Sequence, residues 1–134
     1  LNMQKAIYLA EQKRGNLTWI DLDQGEQRAT PEIFGDVVLA RKDEPTSYHL
    51  SVTVDDAAQG VNLITRGEDL RDVTHVHVLL QALLDFDVPD YRFHHLLTDQ
   101  NGKRFAKRDK SLTLQTLRAE GKTVEDVKEM AGWK

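Results

Sequence analysis

Five cations, Lys103, Arg104, Lys107, Arg108 and Lys110, crowd into the stretch "GKRFAKRDKS" of a 134-residue chain whose formal net charge is −4. Charges of one sign at this density repel, so they are either a solvated loop or a set gathered around an anion. The run follows an expected strand and an Asn-Gly turn and precedes an expected helix. Ligands of open α/β sheets collect beyond the carboxyl ends of strands, so a polyphosphate is a fitting partner. Arg66 stands at the end of "VNLIT", at such a strand's C-terminal mouth. There it would either pair with Glu68 or Asp69 on the surface or hold an anion. Tyr48 falls in a strand-like segment, where core packing with the hydroxyl at the edge is its simplest role. The adjacent Asp55 and Asp56 are a metal pair on one reading. On the better-fitting one, an Asp caps the turn after a strand.

Other chemistries find little support. His75 and His77 are two apart on an expected helix, and His94 and His95 are adjacent on an expected strand. Neither pair can converge on one ion. The absence of cysteine excludes disulfides and thiolate ligands within these residues. No Ser-His-Asp order, Walker loop or Gly-x-Gly-x-x-Gly fingerprint occurs. Spacing alone therefore leaves an anion-binding α/β domain.

The elements that must position these residues follow from periodicity. Met3 to Arg14 reads as a short helix stopped by Gly15. "LTWIDLD" reads as a strand ending in the turn "DQGEQ". "DVVLARKD" and "EPTSYHLSVTVDD" read as two β-rich runs around a Pro-containing turn, a hairpin or two neighbouring strands. "VNLI" reads as a short buried strand. Leu70, Val73, Val76, Leu79, Leu80, Leu83 and Leu84 recur at three- and four-residue intervals, the strongest helical signal in the chain. "DVPDYRFHHLL" is a loop feeding a strand. "SLTLQTLRAE", closed by Gly121, and "VEDVKEMAGW", opened by Thr123 with Asp126 three residues on, are short helices. This alternation predicts α/β with a largely parallel sheet. At 40% hydrophobic and 30% charged residues, with no long apolar run, the composition is that of a globular protein rather than a disordered or membrane-spanning one. The opening "LNMQKAIYLAEQKRG" has neither a start Met nor a targeting pattern, so a longer natural sequence is expected.

"FGDVVLARKDEPTSYHLSVTVDDAAQGVNLITRGEDL" and "NGKRFAKRDKS", taken together, resemble the class I glutamyl-tRNA synthetase family from Phe34 onward. The resemblance implies the second half of a Rossmann-type class I catalytic core with short C-terminal helices, spanning 34–134 and preceded by a connecting region at 1–33. In that family the "RKD…Y…VDD…G…RGED" region carries the amino-acid site, so Tyr48 and Arg66 are expected to contact glutamate, with Asp55 and Asp56 near it. "RFAKR" matches the KMSKS-type loop, so Arg104 and Lys107 are expected on the phosphates of ATP. Attack of a carboxylate on the α-phosphate builds negative charge that such cations stabilise. Phe105 and Ala106 depart from the usual loop residues, and Arg104 replaces a lysine.

"RGEDLRDVTHVH" and the tail "LRAEGKTVEDVKEMAG" look like a shorter branch of the family. That branch activates glutamate with ATP and attaches it to queuosine in the anticodon of tRNA(Asp); the longer branch charges tRNA(Glu). A non-catalytic nucleotide- or RNA-binding module is the alternative of another class. Magnesium is implied with ATP, and zinc only upstream of Leu1, where the HIGH-type motif is also expected. A cytoplasmic monomer is implied, and these residues alone are not expected to activate glutamate.

Overall fold

The computed structural model describes residues 1–98 and 113–133, in two compact units, Leu1–His94 and His95–Lys134. In the first unit, helix α1 (Met3–Arg14) begins where the Asn2 side chain accepts the Lys5 N–H and stops at Gly15, whose φ of 73° suits a residue without Cβ. Met3, Ala6 and Ala10, on one face at helical spacing, are buried against the core.

Strand β1 (Thr18–Asp21) turns at 22–24 into antiparallel β2 (Gly25–Arg28). Its inward residues are Leu17, Trp19 and Asp21, while Ile20 and Leu22 face outward. A carboxylate takes an inner position because its oxygens are met by the backbone N–H of Asp23 and by Arg71. Strand β3 (Leu63–Gly67) pairs in parallel with β4 (Asp90–His94), and β4 in parallel with β1, giving the order β2-β1-β4-β3. The fold is α/β with a parallel sheet and one antiparallel edge strand, as the alternation of elements predicts. Residues 1–33 thus supply two of the four strands.

Two expectations fail. The hairpin around Pro45 is not formed: residues 36–47 are irregular, and Tyr48–Gln59 is a helix, α2. Its run of Val52, Thr53 and Val54 favours strands only weakly, whereas Ser47 and the left-handed Gly60 (φ 67°) stand at its two ends as helix punctuation. Tyr48 therefore opens a helix, and Asp55 and Asp56 lie in its interior rather than capping a strand exit. The strand β3 is real but not apolar inside: Leu63 is exposed, and the buried residue of the strand is Arg66.

After a single 3-10 turn at Glu68–Leu70, helix α3 (Val73–Leu84) runs through the centre of the unit. It packs against both α1 and α2, which is why it is buried over most of its circumference. Asp85 closes it in the left-handed conformation. Trp19 packs edge-on against Tyr91 and Phe93, at centroid distances of 5.3 and 5.7 Å.

In the second unit, α4 (Leu114–Ala119) and α5 (Val124–Met130) are the two short helices read from the sequence. The Thr123–Asp126 capping box is complete. The Asn-Gly turn and the cations from Lys103 to Lys110, Arg104 and Lys107 among them, lie outside the described residues. Among the described residues no helix is long and apolar enough to cross a membrane.

Candidate functional site

Arg66 is the penultimate residue of β3, at the carboxyl mouth of the parallel strands where its sequence context places it. Its side chain turns inward and is 7% exposed. The guanidinium carbon lies 5.0 Å from the ring centroid of Tyr91 on β4, a diagonal cross-strand neighbour by the Ile64–Tyr91 and Arg66–Phe93 register. Nη1 is 3.3 Å from Nδ1 of His77. Surface pairing with Glu68 or Asp69 is not what the structure shows. Glu68 is held instead by Arg71, through Nε at 2.5 Å and Nη2 at 3.2 Å. Among the described residues, no carboxylate stands within ion-pair distance of Arg66. A buried cation whose hydrogen-bond partner among the described residues is a neutral imidazole is costly, and it is a ready seat for a ligand carboxylate.

His77 is the hub around which the site is built. It is 2% exposed on α3, and its Nε2 lies 3.3 Å from Nδ1 of His49 in the first turn of α2. The Tyr48 ring sits 5.8 Å from the His77 ring and is itself 55% exposed. Tyr48 also forms one wall of an open cleft of about 210 Å³ that includes Arg41, Glu44 and Ser47. Tyr48 and Arg66, picked from distant parts of the sequence, are thus both brought against one buried imidazole.

Thr74, His77 and Gln81 form a buried polar stripe along α3 at helical spacing. Gln81 donates from Nε2 to the Tyr91 hydroxyl at 3.4 Å, and among the described residues its Oε1 has no partner. Burial, the positive Arg66 and His49 together push the His77 pKa down to about 3, so this imidazole is neutral at physiological pH. Burial lowers His49 as well and raises the Tyr91 phenol. Asp56, half-buried, is raised by burial despite Arg66 nearby, with Asp55 adding to the rise. Asp55 itself is exposed. His75 points elsewhere, accepting the Thr30 N–H at Nδ1, so the two helix histidines serve separate places. Among the described residues no three His, Asp or Glu side chains cluster as a metal set.

The segment after Arg66 is fixed from beneath. Arg71 donates to buried Asp21 at 2.5 Å, chelates Glu68, and lays its guanidinium 4.0 Å above the Phe93 ring. The carboxyl of Asp21, opposed by burial but held by Arg71 and by the N–H groups of Asp23 and Gln24, stays below the usual carboxylate range.

Sequence reasoning missed His77, His49, Gln81 and Arg71. The signal for the α3 members was present as a Thr-x-x-His-x-x-x-Gln stripe inside an otherwise apolar helix.

Residues 3–130 match the family model described as tRNA synthetases class I (E and Q), catalytic domain. Over 98 residues, 73% of this chain and 35% of the relative, the sequence is 55% identical to the glutamyl-Q tRNA(Asp) synthetase of Rhodobacter capsulatus. It is 36% identical to glutamate–tRNA ligase 2 of Bartonella tribocorum over 81% of this chain and 24% of that protein. The chain spans about a third of the length of the glutamyl-Q relatives it matches. The fold is similar to a glutamate tRNA ligase from Elizabethkingia meningosepticum solved in complex with its amino acid. The TM-score is 0.60 at 23% identity, covering 84% of this chain and 25% of that one.

Proposed function

Since the chain belongs to the class I tRNA synthetase (E and Q) catalytic-domain family, we propose that it forms part of an ATP-dependent ligase that activates glutamate and transfers it to queuosine in the anticodon of tRNA(Asp). The observation that carries the reading is the buried Arg66 guanidinium, without a carboxylate within ion-pair distance among the described residues and with Tyr48 beside the same imidazole, His77. Arg66 binds a carboxylate of glutamate, and the Tyr48 hydroxyl makes a second polar contact to the substrate. In activation an oxygen of glutamate's α-carboxylate forms a bond to the α-phosphorus of ATP. The bond from that phosphorus to the bridging oxygen breaks, and pyrophosphate leaves. Lys107 and Arg104 stabilise the charge that develops on the phosphates. Magnesium arrives with ATP as part of that substrate.

Glutamate-dependent ATP–pyrophosphate exchange by the full-length protein, without tRNA, tests the activation step. Exchange is expected, with a rise of the glutamate KM by at least about a hundredfold in Arg66→Ala, since a charge-assisted bidentate contact contributes about 3 kcal/mol. Exchange that ignores glutamate, or an Arg66→Ala variant with unaltered glutamate KM, refutes the assignment. Charging of tRNA(Glu) is the second reading, favoured by the 36% identity to a glutamate–tRNA ligase. Acid-gel comparison of the two tRNAs separates them.

A further inference from the structure

Arginine cannot accept a hydrogen bond, and this fixes the direction of every bond in the buried cluster. The Arg66 Nη1–H donates to His77 Nδ1, so that nitrogen carries a lone pair. A neutral His77 then bears its proton on Nε2 and donates it to His49 Nδ1. His49 in turn holds its own proton on Nε2. Three residues from β3, α3 and α2 therefore form one chain of N–H donors with a single polarity. The guanidinium spends one of its five donors on the chain.

We propose that His77 is a positioning residue for substrate recognition: it anchors the Arg66 guanidinium through Nδ1, while His49, by accepting from Nε2, locks the tautomer that lets it do so. The inference rests on the reading of Arg66 as a glutamate-binding residue and adds what holds that residue in one orientation. A free Lys-like swing of the buried head would spread it over several rotamers, and ordering them would then be charged to ligand binding. The geometry supplies the ordering beforehand. The Tyr91 ring limits the guanidinium from one side at 5.0 Å, and the imidazole fixes its rotation about that ring through a directional bond.

Among the described residues, the charged and titratable groups facing the chain are Tyr48 and Asp56 from α2, Arg66 from β3 and Tyr91 from β4, with the neutral amide of Gln81 on α3. A proton added to His77 would set Nδ1–H against Nη1–H, and one added to His49 would set two N–H groups face to face. Both break the same chain.

The test measures glutamate and ATP KM values with kcat, by pyrophosphate exchange, in full-length wild type, Arg66→Ala, His77→Ala, His77→Asn and His49→Phe. Asparagine can place its side-chain oxygen close to the position of Nδ1, so it restores the acceptor without the ring. The expected result is a roughly tenfold rise in glutamate KM for His77→Ala, equivalent to about 1.4 kcal/mol, with ATP KM within about twofold and His77→Asn recovering most of the loss. His49→Phe shows a smaller rise of the same kind, and it carries the comparison if His77→Ala does not fold. If His77→Ala and His77→Asn are equally impaired, or both substrates' KM values move together, His77 is a packing residue and the proposal fails. If Arg66→Ala itself leaves glutamate KM unchanged, the underlying site reading fails instead, and the two failures are told apart.

Discussion

Acidification is expected to destabilise the first unit through His77, and the size of the effect can be worked from its surroundings. Imidazole in an unfolded chain titrates near 6.5, whereas His77 in the folded unit is held down to about 3 by burial and by Arg66. The folded pKa is depressed, so below pH 6.5 the unfolded state binds a proton that the folded state refuses, and stability falls with pH until about 3. Each pH unit inside that window costs up to about 1.4 kcal/mol, so moving from pH 7 to pH 5 removes about 2 kcal/mol through this residue alone. His49 and His75, also lowered, act in the same direction, while Asp56, raised, opposes them. Asp21 is lowered from 3.8 and contributes only below that value. Substituting His77→Gln removes its titration while leaving the other groups in place, so the difference between the two proteins isolates it. Urea unfolding at pH 7 and 5, followed by Trp19 fluorescence in a Trp133→Phe background, makes the measurement. Trp19 is buried among aromatic rings and reports unfolding of the first unit, whereas Trp133 is 74% exposed. A 2 kcal/mol loss moves the wild-type midpoint by roughly 1 M urea for a unit of this size. Parallel pH dependences in wild type and His77→Gln would refute the assignment of a buried neutral imidazole.

Other perturbations test other parts of the structure. Asp21→Ala takes from Arg71 its buried ion-pair partner and from the Asp23 N–H its acceptor, while the Gln24 N–H keeps the Asp21 carbonyl; a loss of about 3 kcal/mol is expected by thermal or urea unfolding. Glu68→Ala, at the exposed end of the same arginine, is expected to cost under about 1 kcal/mol, and equal effects would contradict the burial difference. Thr123→Ala removes one half of the capping box and is expected to weaken hydrogen-exchange protection of the α5 amides by about 1 kcal/mol. Gly60→Ala forces a Cβ onto a φ of 67° at the end of α2, and about 1 kcal/mol of destabilisation is expected in the same unfolding assay.

Where the chain's local physics is strong, the sequence is a sufficient guide. The leucine and valine spacing from Leu70 to Leu84 reports α3, and Thr123 with Asp126 reports the start of α5. Helix α2 escapes notice because Val52, Thr53 and Val54 look like strand residues. Its helical conformation comes from packing on α3, a tertiary influence that outweighs a weak local preference. Arg66 is legible as a strand-end arginine, yet its neutral partners are not. His77 lies eleven residues downstream and His49 seventeen upstream, and only the parallel crossover from α2 through β3 to α3 brings the three together. A histidine in an apolar helix therefore carries no visible assignment until the strand that faces it is placed.

Arg66 and Arg71 rest on Tyr91 and Phe93, two rings that project from one side of β4. The hexapeptide "RGEDLR" is therefore a gauge cut to a fixed length, with both ends seated on a single ruler. Adding or removing one residue between its arginines would lift either the outer cation from its ledge or the inner one from its seat. Duplications and deletions should be tolerated far better in the irregular 36–47 stretch than in these six positions.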